Sequence, residues 1–110
     1  MKIYYAHPIG SYGTFQEKTD LKRLVAWLGE SCQIINPSDS SIQKDFDNWK
    51  KTKSKEDHDM RFFKALIKEC DGLVFRGDTQ GVRYEKAKAK EFDLPIFDLS
   101  DLDIIEGAKK

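Results

Sequence analysis

Apolar residues fall along the chain in two alternating patterns. Short runs form the first: KIYYA (2–6), CQIIN (32–36), GLVF (72–75) and LPIFDL (94–99) are rich in β-branched and aromatic residues and read as strands. Pro8 stops the first run and Pro37 the second. Between the runs lie stretches with a helical repeat of roughly 3.6 residues. In TFQEKTDLKRLVAWLGES, Leu21, Leu24, Val25 and Leu28 follow i, i+3, i+4, i+7 and predict a helix with that stripe toward a core. DHDMRFFKALIKEC places Met60, Phe63, Ile67 and Cys70 on one stripe, with Leu66 beside it. GVRYEKAKAKEF (81–92) places Val82, Glu85, Ala89 and Phe92 on one stripe and Arg83, Lys86 and Lys90 on another. The tail DLDII is a candidate short edge element.

Strands alternating with helices predict parallel βαβ units, and right-handed crossovers then favour a small doubly wound α/β sheet. The expected architecture is flavodoxin-like: four to five strands in the order 2-1-3-4, with helices on both faces. Ligands of such sheets bind beyond the carboxyl ends of the strands. The active edge is therefore expected in AHPIGSYGT, in the long connection after the second strand and in RGDTQG. Asp71, at the other edge, is badly placed for chemistry. The connection over about 37–57 is unusually long for a compact domain. It reads either as an extra surface helix packing Phe46 and Trp49, or as a lid that closes over a ligand and excludes water.

Composition narrows the classes of partner. A chain of 110 residues makes one domain. Its 19 basic and 19 acidic residues cancel, so no global field draws it to polymeric nucleic acid or to an anionic membrane. No apolar run approaches the ~18–20 residues of a membrane span, and MKIYYAHPIG, with few apolar residues before Pro8, is not expected to act as a signal peptide. Cys32 and Cys70 are too few for a disulfide scaffold and lack the companions of a zinc site, so a reduced, cytoplasmic protein without metal is expected.

The carboxylate of Glu85 stands out because it shares a stripe with three apolar residues. An acid in the second turn of a helix is favoured by the helix dipole, but that gives it no reason to face inward. Removing a carboxylate from water costs several kcal/mol unless something is hydrogen-bonded to it or paired with it. Tyr4, on the first strand, is a candidate donor; otherwise it is a core aromatic. Asp59 opens the second periodic stretch at the same edge and is either a second catalytic carboxylate or a helix cap, with Asp57 competing for the capping role. Two carboxylates and a tyrosine at one edge are the groups needed for covalent chemistry at a sugar carbon. GDTQG, with Asp78, Thr79 and Gly81, offers a hydroxyl and free N–H groups as a phosphate or hydroxyl cradle, although many turns use the same residues. Arg76 and Arg83 flank it and would help hold an anion, or are simply solvated. His7 contacts a base or ribose, or caps a turn.

At these residues the sequence resembles the nucleoside 2-deoxyribosyltransferase superfamily, which includes deoxynucleoside monophosphate N-glycosidases and small uncharacterised relatives. KIYYAHPI resembles its opening strand motif, INPSD the second strand and its exit, HDM…CDGLVF the second helix and third strand, and GVRYEKAKAKEFDLPIF the glutamate helix and last strand. The resemblance implies that Glu85 is the nucleophile, Tyr4 orients it, Asp59 assists the departing base, and Gly81 belongs to the sugar and phosphate loop. Arg83 departs from the family, standing where relatives often have a small residue, and AHPIG replaces a commoner small-residue loop. The downstream polar motif that transferases supply across a subunit interface has no clear counterpart. The expected activity is cleavage or transfer of the N-glycosidic bond of a (deoxy)nucleoside or its 5′-monophosphate, with no cofactor, in a homodimer or larger homo-oligomer. The alternatives are a catalytically inactive nucleotide-binding or regulatory module, or a scaffold whose Trp49 loop docks a protein.

Overall fold

The alternation of runs and periodic stretches becomes one parallel sheet flanked by helices. A computed structural model describes residues 1–54 and 60–101. Asp57, Asp59 and tail residues 102–105, all singled out in the sequence, lie outside the described residues. The elements are β1 (Lys2–Ala6), α1 (Phe15–Leu28), β2 (Gln33–Ile35), α2 (Ser40–Thr52), α3 (Met60–Lys68), β3 (Gly72–Phe75), α4 (Gln80–Glu91) and β4 (Ile96–Asp98). The strands run parallel in the order β2-β1-β3-β4, as the crossover argument predicts. Tyr4 is the central point of the register, paired with Ile35 on one side and Leu73 on the other.

Side chains alternate across a strand, so β1 feeds two cores. Ile3 and Tyr5 join Leu24, Val74 and Leu99 on the face covered by α1. Tyr4 and Ala6 join Ile67, Cys70, Leu73 and Ala89 on the face covered by α3 and α4. The α3 stripe forms largely as its spacing predicts, with Phe63, Ile67 and Cys70 buried. The α1 stripe forms in part, with Leu21 and Leu28 packed half-buried against the core around Leu24. Leu24 is fully buried, but Val25 is 45% exposed, and the helix is turned so that Glu17 and Asp20 face inward with Leu24.

Hydrogen bonding explains that rotation. The Asp20 carboxylate accepts from the Tyr5 hydroxyl at 2.7 Å, from Arg76 Nε at 2.7 Å and Nη2 at 3.0 Å, and from Gln16 Nε2 at 2.9 Å. Asp20 is fully buried while Arg76 keeps 22% of its side chain exposed, so the pair ties α1 to the end of β3 without stranding either charge. Asp20→Asn is expected to lower unfolding stability by about 2 kcal/mol, because charge-assisted bonds are replaced by neutral ones. Urea titrations of the two proteins measure it; equal midpoints would mean that the pair contributes nothing.

The stretch at 37–57 contains a helix over Ser40–Thr52, capped by Asp39, whose carboxylate accepts from Ser41 N at 3.0 Å. None of its residues is fully buried. It is held by aromatic contacts: Phe46 lies 4.8 Å from Phe63 and 5.3 Å from Phe62, and Trp49 lies 5.9 Å from Phe62, between ring centroids. The exits of β1 and β3 are brought close by Gly77. Its φ of +85° favours glycine, and a Cβ there would stand 2.8 Å from Pro8 Cγ. Among the described residues no helix is long and apolar enough to cross a membrane.

Candidate functional site

Thr79 caps α4, its hydroxyl accepting from Val82 N at 3.4 Å. That start fixes the helix phase, and the predicted stripe follows from it: Val82, Glu85 and Ala89 are buried at 1%, 6% and 0% exposure. The carboxylate therefore does project inward, toward the face of β1 that carries Tyr4. The Tyr4 hydroxyl is buried and completes no hydrogen bond of good geometry among the described residues. Yet the two groups act on each other. Burial raises the Tyr4 pKa well above its ordinary value and the Glu85 charge raises it further. Burial pushes the Glu85 carboxyl up to about 7, with the Tyr4 hydroxyl pulling it partly back. They are close enough to couple, short of a finished hydrogen bond, and small movements would complete it.

Glu85 opens onto a hollow of about 100 Å³. Its polar lining is Glu85, Tyr12 and Gln43; Ile9, Phe46, Met60 and Phe63 supply apolar walls. Gly81 borders this hollow and also a larger one of about 510 Å³ lined by Gln80, Tyr84 and Met60. A Cβ on Gly81 would meet nothing within 4 Å, so the glycine leaves the passage wide without being sterically required. Gln43 and Phe46 both come from α2, which thus forms one wall of the inner hollow.

The remaining residues singled out in the sequence are dispersed. His7 is 2% exposed, with both ring nitrogens engaged: Nδ1 lies 3.1 Å from Tyr5 O and Nε2 2.6 Å from Glu17 Oε2. It is stacked on Tyr5 at 3.9 Å and lies beneath Tyr12 at 4.8 Å, so it belongs to the wall behind the hollow and not to a surface that meets a base or ribose. Asp78 and Arg83 pair with each other through two bonds of 2.9 and 3.0 Å, both largely exposed, which lowers the Asp78 pKa and raises that of Arg83. Arg76 is turned to Asp20 instead of flanking an anion cradle. Thr79 serves as the helix cap, and Gly81 borders the hollows.

Two groups at this edge escaped the sequence pattern. Glu17 accepts from His7, from Ser38 Oγ at 2.7 Å and from Gly13 N at 3.1 Å. Burial opposes its ionisation, but the bonds from Ser38, His7 and Gly13 outweigh that and lower its pKa. It thereby joins the exits of β1 and β2. Tyr12 lies in a turn with no periodicity to mark it; the aromatic in SYGT was the available signal. Asp71, at the opposite edge, accepts from Lys2 N at 2.8 Å. Among the described residues no group of three His, Cys, Asp or Glu side chains is placed to hold a metal ion. No protein-family model matches the chain, and no curated protein matches it either.

Proposed function

We propose that the protein cleaves or transfers the N-glycosidic bond of a (deoxy)nucleoside or its 5′-monophosphate through a covalent intermediate on Glu85. The observation that carries this reading is a carboxylate buried to 6% exposure at the carboxyl edge of a parallel sheet, coupled to a phenol and opening onto a hollow. A buried acid that meets no salt-bridge partner among the described residues is costly, and nucleophilic chemistry gives it a use. The resemblance of GVRYEKAKAKEF and KIYYAHPI to the nucleoside 2-deoxyribosyltransferase superfamily supports the same roles for Glu85 and Tyr4. A Glu85 oxygen bonds to C1′ as the C1′–N bond breaks, and water or an incoming base then resolves the glycosyl-enzyme. Asp59 is proposed, on the resemblance alone, to assist the departing base. Asp78, Thr79, Gly81 and Arg83 are proposed to contact the substrate, Asp78 and Arg83 by exchanging their mutual pair for a ligand. The setting is cytoplasmic, in a homodimer or larger assembly, for which Ile9 and Phe15 at this edge, 78% and 84% exposed, offer an apolar lip to a second subunit.

Incubation with a panel of deoxynucleosides and their 5′-monophosphates, followed by chromatography for free base, tests the reading. Binding without release would mean a nucleotide-binding module on the same scaffold, and the covalent mechanism would fall.

The pH dependence is a sharper check. Glu85 attacks only when ionised, and its carboxyl is pushed up to about 7. The specificity constant is therefore expected to rise about tenfold per pH unit below that value and to level off above it. The Tyr4 hydroxyl favours the ionised form, so Tyr4→Phe moves the limb to higher pH. A limb that stays in the ordinary carboxylate range would show that the buried acid is not the titrating nucleophile.

A further inference from the structure

We propose that the Tyr12 hydroxyl donates a hydrogen bond to the departing base in the Glu85 reaction, a role that rests on the covalent mechanism proposed above. Tyr12 lines the inner hollow with Glu85. Among the described residues no hydrogen bond engages its hydroxyl, whereas the Tyr5 hydroxyl nearby is committed to Asp20.

The turn that presents Tyr12 is braced. Tyr12 N donates to Ile9 O at 3.0 Å, Ser11 Oγ to Pro8 O at 2.7 Å, and Thr14 Oγ1 to Ser11 O at 2.6 Å. Glu17 holds the adjacent Gly13 N at 3.1 Å. The ring packs 4.8 Å from the His7 ring, which is itself fixed at both nitrogens. A donor placed this firmly loses little freedom when a ligand arrives, which is the condition for electrostatic stabilisation of a transition state.

Charge decides which part of the ligand it serves. Burial first, and then the charges of Glu85 and Glu17, hold the Tyr12 phenol far above its ordinary pKa, so it keeps its proton throughout. It is a donor and not a general acid. In an oxocarbenium-like transition state the sugar gains positive charge while the leaving base gains negative charge. An O–H dipole aimed at the ring oxygen would slow the reaction, whereas one aimed at the base speeds it. The electron pair of the C1′–N bond passes to the base nitrogen as the Glu85 oxygen bonds to C1′. The phenol keeps its proton, and the released base takes one from the acid that assists its departure or from water.

The test compares wild type with Tyr12→Phe, which keeps the ring and its packing on His7. Each acts on the substrate that the panel identifies and on an analogue whose base needs less help to leave: ring-methylated to a cation for a purine or cytosine, 5-fluorouracil in place of uracil or thymine. After subtraction of spontaneous hydrolysis, Tyr12→Phe is expected to slow the ordinary substrate at least tenfold, and the analogue by markedly less, about twofold for a cationic base. Equal losses on both would assign Tyr12 to packing and overturn the role, as would no loss on either. A wild type that releases base from the analogue alone would also overturn it. Base release from neither by the wild type would remove the Glu85 mechanism, and the role of Tyr12 with it.

Discussion

Glu85→Ala is expected to lower base release by a factor on the order of 10³ or more while the far-ultraviolet circular dichroism stays unchanged. The loss is large because, in the proposed mechanism, the side chain forms a bond instead of merely polarising one. The fold is expected to survive because the residue contributes no hydrogen bond to the described structure beyond its coupling to Tyr4. Val82 and Ala89, on the same stripe, continue to hold α4 against the sheet. Mass spectrometry of denatured protein after brief exposure to substrate gives a second measure, since a sugar adduct on wild type should vanish in the variant. Undiminished turnover in Glu85→Ala would remove the covalent mechanism.

Glu85→Gln should make the protein more stable, and only at neutral to alkaline pH. The folded-state pKa is raised from the ordinary 4.5 to about 7 by burial. Above pH 7 both folded and unfolded chains carry the carboxylate, and the folded one bears the full desolvation cost. Between about 7 and 4.5 the folded form takes up a proton that the unfolded form does not bind as strongly, so the penalty fades as pH falls. Its full size is on the order of 3 kcal/mol, partly offset in the variant by the amide's own burial. The expected gain is about 2 kcal/mol at pH 8 and close to zero at pH 4.5, read from urea unfolding at the two pH values. A gain independent of pH, or none, would place the carboxylate in a solvated setting. The acid is thus predicted to be kept at a cost to folding, as is common where a group is retained for chemistry.

The sheet order was legible because four runs and three periodic stretches alternate, and parallel crossovers have one hand. Glu85 was legible because α4 has a clean stripe that a Thr79 cap starts in phase. α1 was harder. Its leucines and Val25 define an apolar stripe, but four hydrogen bonds to Asp20 and three contacts on Glu17 turn the helix toward its acids. Those partners lie 4 to 56 residues away, and no local pattern announces them. The same holds for His7, whose commitment to Tyr5 O and Glu17 appears only when the end of β1 meets the first turn of α1. Turns have no period, so Tyr12 gave no signal beyond its ring. At 37–57 the surface-helix reading holds, with a helix and its own aromatics at Ser40–Thr52; that helix also supplies a wall of the hollow, which falls short of a lid that closes over a ligand.

Adjacent phenols of β1 look in opposite directions, Tyr4 to the layer holding Glu85 and Tyr5 to the layer holding Asp20. A point substitution can alter one layer alone. A single codon gained or lost upstream of Tyr4, without a compensating shift of the chain, would exchange the two rings and spoil both sides together. The proposed reactivity and the cohesion of this domain are consequently inherited through one backbone alignment, and the strand should tolerate changes of residue far better than changes of length.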